Sequence, residues 1–226
     1  MDRHSLNIEE TVYRVLLEHA EPVFPISPYK IARSMGIQVI SRHHAGELLS
    51  LLGIEHKLDE SPALSIQHSD GYRAIILDAD YRCAEWRRML VAHELAHFAM
   101  GHFKAHYREI IAEEARTSAL LRSSYIARNW TELNCDAFST LLLAPVPVLF
   151  AAGICSTEDI TRLCRVKPIL AALLSRSAKA RKPFQLSHSG EMVFQKFSAA
   201  LDRYKAMCRP LPLIPSYMSD ISEEFA

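Results

Sequence analysis

Apolar residues recur at helical intervals near the start of the chain: Val12, Val15, Leu16 and Leu17 predict a helix over residues 8 to 19, which the stretch from Pro22 to Pro28 stops. Ser27-Pro28 opens a short second helix through Ile31, Ala32 and Met35, with Gly36 as its C-cap before the β-rich run Ile37-Gln38-Val39-Ile40. The pattern then turns to strands. Residues 65 to 68 and 72 to 77 flank Ser69-Asp70-Gly71, and Asp-Gly between two such runs predicts an antiparallel hairpin in which Ala74-Ile75-Ile76-Leu77 is buried. From Cys83 to about His102 there is no proline, and Trp86, Met89, Leu90, His93, Leu95 and His97 fall at helical intervals. Further helices are predicted over residues 109 to 121 and 132 to 143, the latter ended by Ala144-Pro145-Val146-Pro147. Beyond Pro145, Ser156-Thr157-Glu158-Asp159 is a helix start, and Ile160, Leu163, Leu170, Leu173 and Leu174 describe two short helices around Val166-Lys167-Pro168. The tail after Cys208, with Pro210, Pro212 and Pro215, reads as extended. There is no internal repeat.

These elements make an α+β fold: mostly helical, with a small mixed or antiparallel sheet packed on the helix of residues 83 to 102, and a C-terminal helical unit. With 226 residues, 49% of them hydrophobic, the chain can bury one domain plus an appendage. Lys+Arg and Asp+Glu both number 26, so the totals carry no electrostatic footprint for nucleic acid or an anionic membrane. No apolar run approaches the roughly 20 residues that span a bilayer, and Asp2, Arg3, Glu9 and Glu10 stand where a secretory signal would be apolar. The expectation is a cytoplasmic protein. Five cysteines, odd in number and without a Cys-x-x-Cys pair, predict neither a disulfide framework nor a thiolate zinc site, and they read as reduced packing residues.

Candidate chemistry lies in His93-Glu94-Leu95-Ala96-His97. Residues four apart share a helix face, so His93 and His97 can offer imidazole nitrogens to one ion while Glu94 projects beside it. Zinc in such a site acidifies a bound water and polarises a carbonyl, and a nearby carboxylate takes the water's proton. A catalytic zinc also needs a third protein ligand. The residues able to supply it are His102, His106, Glu109, Glu113, Glu114, Glu132 and Asp136, and the choice falls on Glu132. Glu132 and Asp136 are four apart, so Glu132 can bind the metal while Asp136 accepts the remaining N–H of a ligating histidine. The other candidates read as structural. His102 and His106 form a solvated helix end, His43-His44 a surface loop, Glu113-Glu114 a solvated face, and Tyr107 and Tyr125 are core or rim residues.

The run Met89 to His97, preceded by the strand Ala74 to Leu77 and followed by Glu132-Leu133-Asn134-Cys135-Asp136-Ala137-Phe138 and Leu141-Leu142-Leu143-Ala144-Pro145, resembles the ImmA/IrrE family of metallopeptidases. The resemblance covers roughly residues 8 to 176. It departs from the commoner pattern in Ala96, where Gly is frequent, and in Asn134-Cys135, where an acidic residue and Ala are frequent. What it implies is a thermolysin-like metallopeptidase that cuts a helix-turn-helix repressor of a phage, mobile-element or stress-response system. His93, His97 and Glu132 would then hold one zinc ion, with Glu94 as the base. The organisation expected is a metallopeptidase domain over residues 1–147, a small helix-turn-helix-like unit over 148–182, and an unassigned extension over 183–226.

Two other readings compete. The chain can be a regulator that keeps a structural metal and binds a repressor without cutting it, although such a site has no need of Glu94. Alternatively, the helices of residues 157 to 174 can bind DNA through Arg162, Arg165, Lys167 and Arg176; a turn with Pro168 and no glycine, together with zero net charge, argues against this. Docking of a protein substrate suits that unit better. Two histidines and a carboxylate suit zinc, and manganese or iron can use the same ligands.

Overall fold

A computed structural model describes residues 8–52, 62–68, 71–78, 80, 83–103, 124–180 and 185–208. The helix expected at 109 to 121, with Glu109, Glu113 and Glu114, lies outside these residues, as do Ser69, Asp70, His106, Tyr107, Arg181, Lys182 and the tail after Cys208. The fold is α+β and mostly helical, with one small mixed sheet.

Helix α1 (Ile8–His19) buries Val12, Tyr13, Val15 and Leu16 along one stripe. Helix α2 (Pro28–Ser34) begins with the Ser27 hydroxyl accepting the Lys30 N–H and Pro28 in the first turn, where its missing donor costs nothing. It ends at Gly36, whose φ of 70° is open to glycine without strain. The Gly36 and Ile37 N–H groups there return to Arg33 and Ala32 carbonyls. Strand β1 (Gln38–Ser41) follows and runs directly into α3 (Arg42–Leu52). Thus His43 and His44 are helical, not in a loop, though both are exposed as expected.

The hairpin pairs β2 (Ala63–Gln67) with β3 (Arg73–Leu77) antiparallel, Ser65 opposite Ile75. Strand β1 lies on the other side of β3 and parallel to it, Val39 opposite Ile75. The central position of β3 explains its unbroken apolar run: Ala74 to Leu77 are all buried.

Helix α4 (Ala84–Ala99) packs on β2, β3, α2 and the long α5 (Ser124–Leu143). Burial around most of its circumference explains why it lacks a clean polar face. Helix α5 starts eight residues before the expected Glu132 and stops where expected, before Pro145. Short α6 (Val146–Ala151) follows, then α7 (Thr157–Cys164), capped by Ser156 Oγ accepting the Asp159 N–H at 3.0 Å, and α8 (Pro168–Ala180). Finally, α9 (His188–Cys208) occupies a stretch that sequence reasoning left unassigned. Its Val193, Phe197, Ala200, Leu201 and Tyr204 form a helical stripe against α1 and α6. One buried cluster runs from Val12 through β3, α4 and α5 to Tyr204. The segment Trp130–Ala151 is apolar and long enough to cross a membrane, but its most apolar part is largely buried within the fold, as in a core helix.

Candidate metal centre

Two crossing helices build the site. His93 and His97 lie one turn apart on α4, and their ring centroids are 5.4 Å apart. Helix α5 presses Cys135, Phe138 and Leu142 into the core and sends Glu132 and Asp136 from the edge of that stripe to His93. Asp136 Oδ1 lies 2.9 Å from His93 Nδ1, and Glu132 Oε2 lies 3.1 Å from His93 Nε2. The other Glu132 oxygen is 4.0 Å from His97 Nε2. Glu94, on the next position of α4, is buried, and its charge acts on both histidines. The five residues singled out from sequence therefore meet in one place.

Two further residues lie beside them: Cys135, read from sequence as packing, and His102, weighed as a ligand and passed over as a solvated helix end. Cys135 is fully buried, with Sγ 3.6 Å from His97 Nε2 and 3.8 Å from His102 Nδ1. His102 is not a solvated helix end: its Nδ1 lies 2.9 Å from His97 Nδ1. The backbone explains the second contact. Helix α4 closes with Gly101 at φ 74°, the Gly101 N–H bonded to Phe98 and the His102 N–H to His97. This reversal carries the His102 side chain back over His97, three positions from the helix end.

The electrostatics follow from this arrangement. Burial opposes a charged His93, but its hydrogen bonds to Glu132 and Asp136 and the charge of Glu94 outweigh it and push the pKa up to about 9. His97 is shifted down by burial, and His102 is pushed down to about 4 by burial and by His97. The His93 hydrogen bond holds Glu132 below the ordinary carboxylate range. Burial, reinforced by Glu132, Glu94 and Asp136, pushes the Cys135 thiol up. Without an ion, the three-histidine group thus carries its proton on His93 near neutral pH.

Two donor pairs have the spacing of neighbouring ligands on one ion, while Glu132 is 4.0 Å from His97. With bonds of about 2.0–2.1 Å to nitrogen or oxygen and 2.3 Å to sulfur, ligand atoms of a tetrahedral zinc stand roughly 3.3 Å apart, and about 3.6 Å where one is sulfur. The His93–Glu132 and His97–Cys135 separations of 3.1 and 3.6 Å match. One donor atom each from His93, His97 and Cys135 lies within 4.8 Å of the others, so this buried group can hold an ion. Cys135, expected only as a packing residue, thus stands among the donors that could hold an ion. Its sequence signal was its place three residues after Glu132, on the same helix face.

The residues of the DNA-binding alternative are distributed differently. Arg162 and Arg165 line a groove of about 830 Å³ with Arg203, Phe24 and Met207. The Arg165 carbonyl, at a left-handed residue ending α7, accepts from Arg88 Nη1 at 2.7 Å. On α8, Ile169 and Leu173 stand 75% and 59% exposed, one turn apart, and so offer an apolar face. No protein-family model matches this chain, and neither a curated protein nor a solved structure matches it.

Proposed function

We propose that the chain is a zinc-dependent endopeptidase of the cytoplasm, similar to ImmA/IrrE metallopeptidases, that cuts a helix-turn-helix repressor and so relieves repression. The observation that carries the reading is the convergence of His93, His97 and Glu132 from two crossing helices, with Glu94 buried beside them. In this reading α4, α5 and the sheet form a thermolysin-like core. His93 and His97 hold the ion through Nε2 and Glu132 through its carboxylate. A bound ion supplies electrophilic polarisation of the scissile carbonyl and acidification of a water molecule. Glu94 accepts the proton of the attacking water and returns it to the leaving amine nitrogen. Asp136 Oδ1 accepts the Nδ1–H of His93 and holds that ring in its ligating tautomer, and the His102 ring orients His97 in the same way.

A protein substrate is supported by apolar surface beside the chemistry. Trp130 and Leu133 flank Glu132 on α5 and are 65% and 56% exposed. The apolar face of α8 offers a second docking surface.

Elemental analysis tests the metal, and cleavage of a co-expressed helix-turn-helix repressor tests the chemistry. Wild type is expected to hold about one zinc, His93→Ala and Glu132→Ala to lose it, and Glu94→Gln to keep metal but lose cleavage by at least ~100-fold. A second reading, a metal-containing regulator that binds a repressor or DNA without cutting, draws on Cys135, because a thiol among the ligands suits a structural ion. Wild type and Glu94→Gln acting identically on the repressor would decide for it.

A further inference from the structure

We propose that Cys135 is a fourth ligand to the metal held by His93, His97 and Glu132, so that the resting site is closed and opens for turnover when the sulfur withdraws. This rests on the metal reading above and adds the regulation of that site. Three observations carry it. The Cys135 sulfur stands 3.6 Å from His97 Nε2, the separation of two neighbouring ligands on one tetrahedral zinc. It projects from the same face of α5 as Glu132, the carboxylate already against His93 Nε2. It is also fully buried, so no solvent competes with it for an ion at that position.

The cluster's charges favour the same arrangement. Glu132 and Asp136 bring two carboxylates to the same cluster through His93, and negative charge there favours a divalent cation. On binding, the sulfur–metal bond forms as the S–H bond breaks, and the proton passes to solvent; no oxidation is involved. Two imidazoles, a carboxylate and a thiolate complete a tetrahedron. The open position that hydrolysis requires is then taken, and Glu94 has no activated water to deprotonate. Rotation of Cys135 away from the ion restores the open, three-ligand form. The thiol is thus a lid of a single side chain, set directly on the metal.

Cobalt(II) is the probe, since it takes the same ligands and its spectrum reports bound sulfur. The full-length wild type, titrated with cobalt, is expected to show a near-ultraviolet thiolate-to-cobalt charge-transfer band at one ion per chain. In Cys135→Ala, and in Cys135→Ser, which preserves the side-chain volume, the band disappears while one cobalt still binds. Affinity measured against a chromogenic chelator falls at least about tenfold, the minimum expected for a ligand when outer-shell partners alone are worth 10–100-fold. Cobalt bound by wild type with no charge-transfer band, or with affinity unchanged in both variants, overturns the proposal and leaves the open three-ligand site standing. Failure of wild type and both variants to bind cobalt sinks the metal reading itself, and this proposal with it.

Discussion

His93 is the residue on which the site's behaviour turns. Its pKa near 9 lies above its unfolded value, so in the metal-free protein its ion pairs stabilise the fold fully below about pH 6.5 and are lost as pH rises through 9. His97 and His102 act in the opposite sense. They stay neutral in the fold, so stability falls as pH drops below about 6.5 and the unfolded chain takes up their protons. Metal-free protein should therefore melt at its highest temperature near pH 6.5–7. A zinc ion must displace the His93 proton from nearly every molecule at pH 6 but from only about half of them at pH 9, so its stabilisation grows with pH. Thermal unfolding with and without equimolar zinc at both pH values checks this. A zinc-induced shift equal at both pH values, or larger at pH 6, would show that His93 is not the protonated group.

Among the elements, α4 is tied by its own Arg88 side chain to backbone carbonyls distant in sequence. Arg88 donates from Nη1 to the Cys164 and Arg165 carbonyls at 3.0 and 2.7 Å, and from Nη2 to the Ile26 carbonyl at 2.7 Å. One guanidinium thereby satisfies the C-terminal carbonyls of α7 and pins both α7 and the segment before α2 to the motif helix. Arg88→Met keeps most of the apolar stem and leaves three carbonyls unpaired. The expected loss is about 2–4 kcal/mol in urea unfolding, with weakened metal retention as α4 shifts. A loss below about 0.5 kcal/mol would mean that water replaces the guanidinium at no cost. Lys196 performs a similar task for α9, donating to the last carbonyls of α1, Leu16 and Leu17, at 2.8 and 2.7 Å.

For the whole molecule, the relevant fact is that α9 and the motif helix belong to one buried cluster. Phe197 is fully buried and its ring centroid lies 5.2 Å from that of Phe24, at the junction of α9 with the segment leading into α2. Phe197→Ala should cost about 3–5 kcal/mol, the range for deleting a buried ring. Because the cluster is continuous, metal release and loss of helical signal should occur at the same urea concentration in wild type and variant alike. Metal released well before the helices melt would show that α4 and α5 open as a separate unit.

What the sequence determined by itself is what depends on spacing along one element. His93 and His97 share a face because they are four apart, and Ser27, Gly36 and Ser156 mark helix ends by local chemistry that no distant contact overrides. The hairpin of β2 and β3 follows from two apolar runs around Asp-Gly. Even the His97–His102 contact was legible, since a glycine four residues after His97 ends the helix and folds the next side chain back. The stripe of α9 was equally open to reading. Tertiary structure decided the rest, because it depends on which surfaces meet. The parallel pairing of β1 with β3, the helical state of His43 and His44, and the bond network of Arg88 have no counterpart in local periodicity. The Cys135 side chain shows the distinction best. Its spacing from Glu132 allowed it to face the histidines, but only the packing of α5 against α4 brought its sulfur to 3.6 Å from His97, because a helix face carries no record of the partner that will cover it.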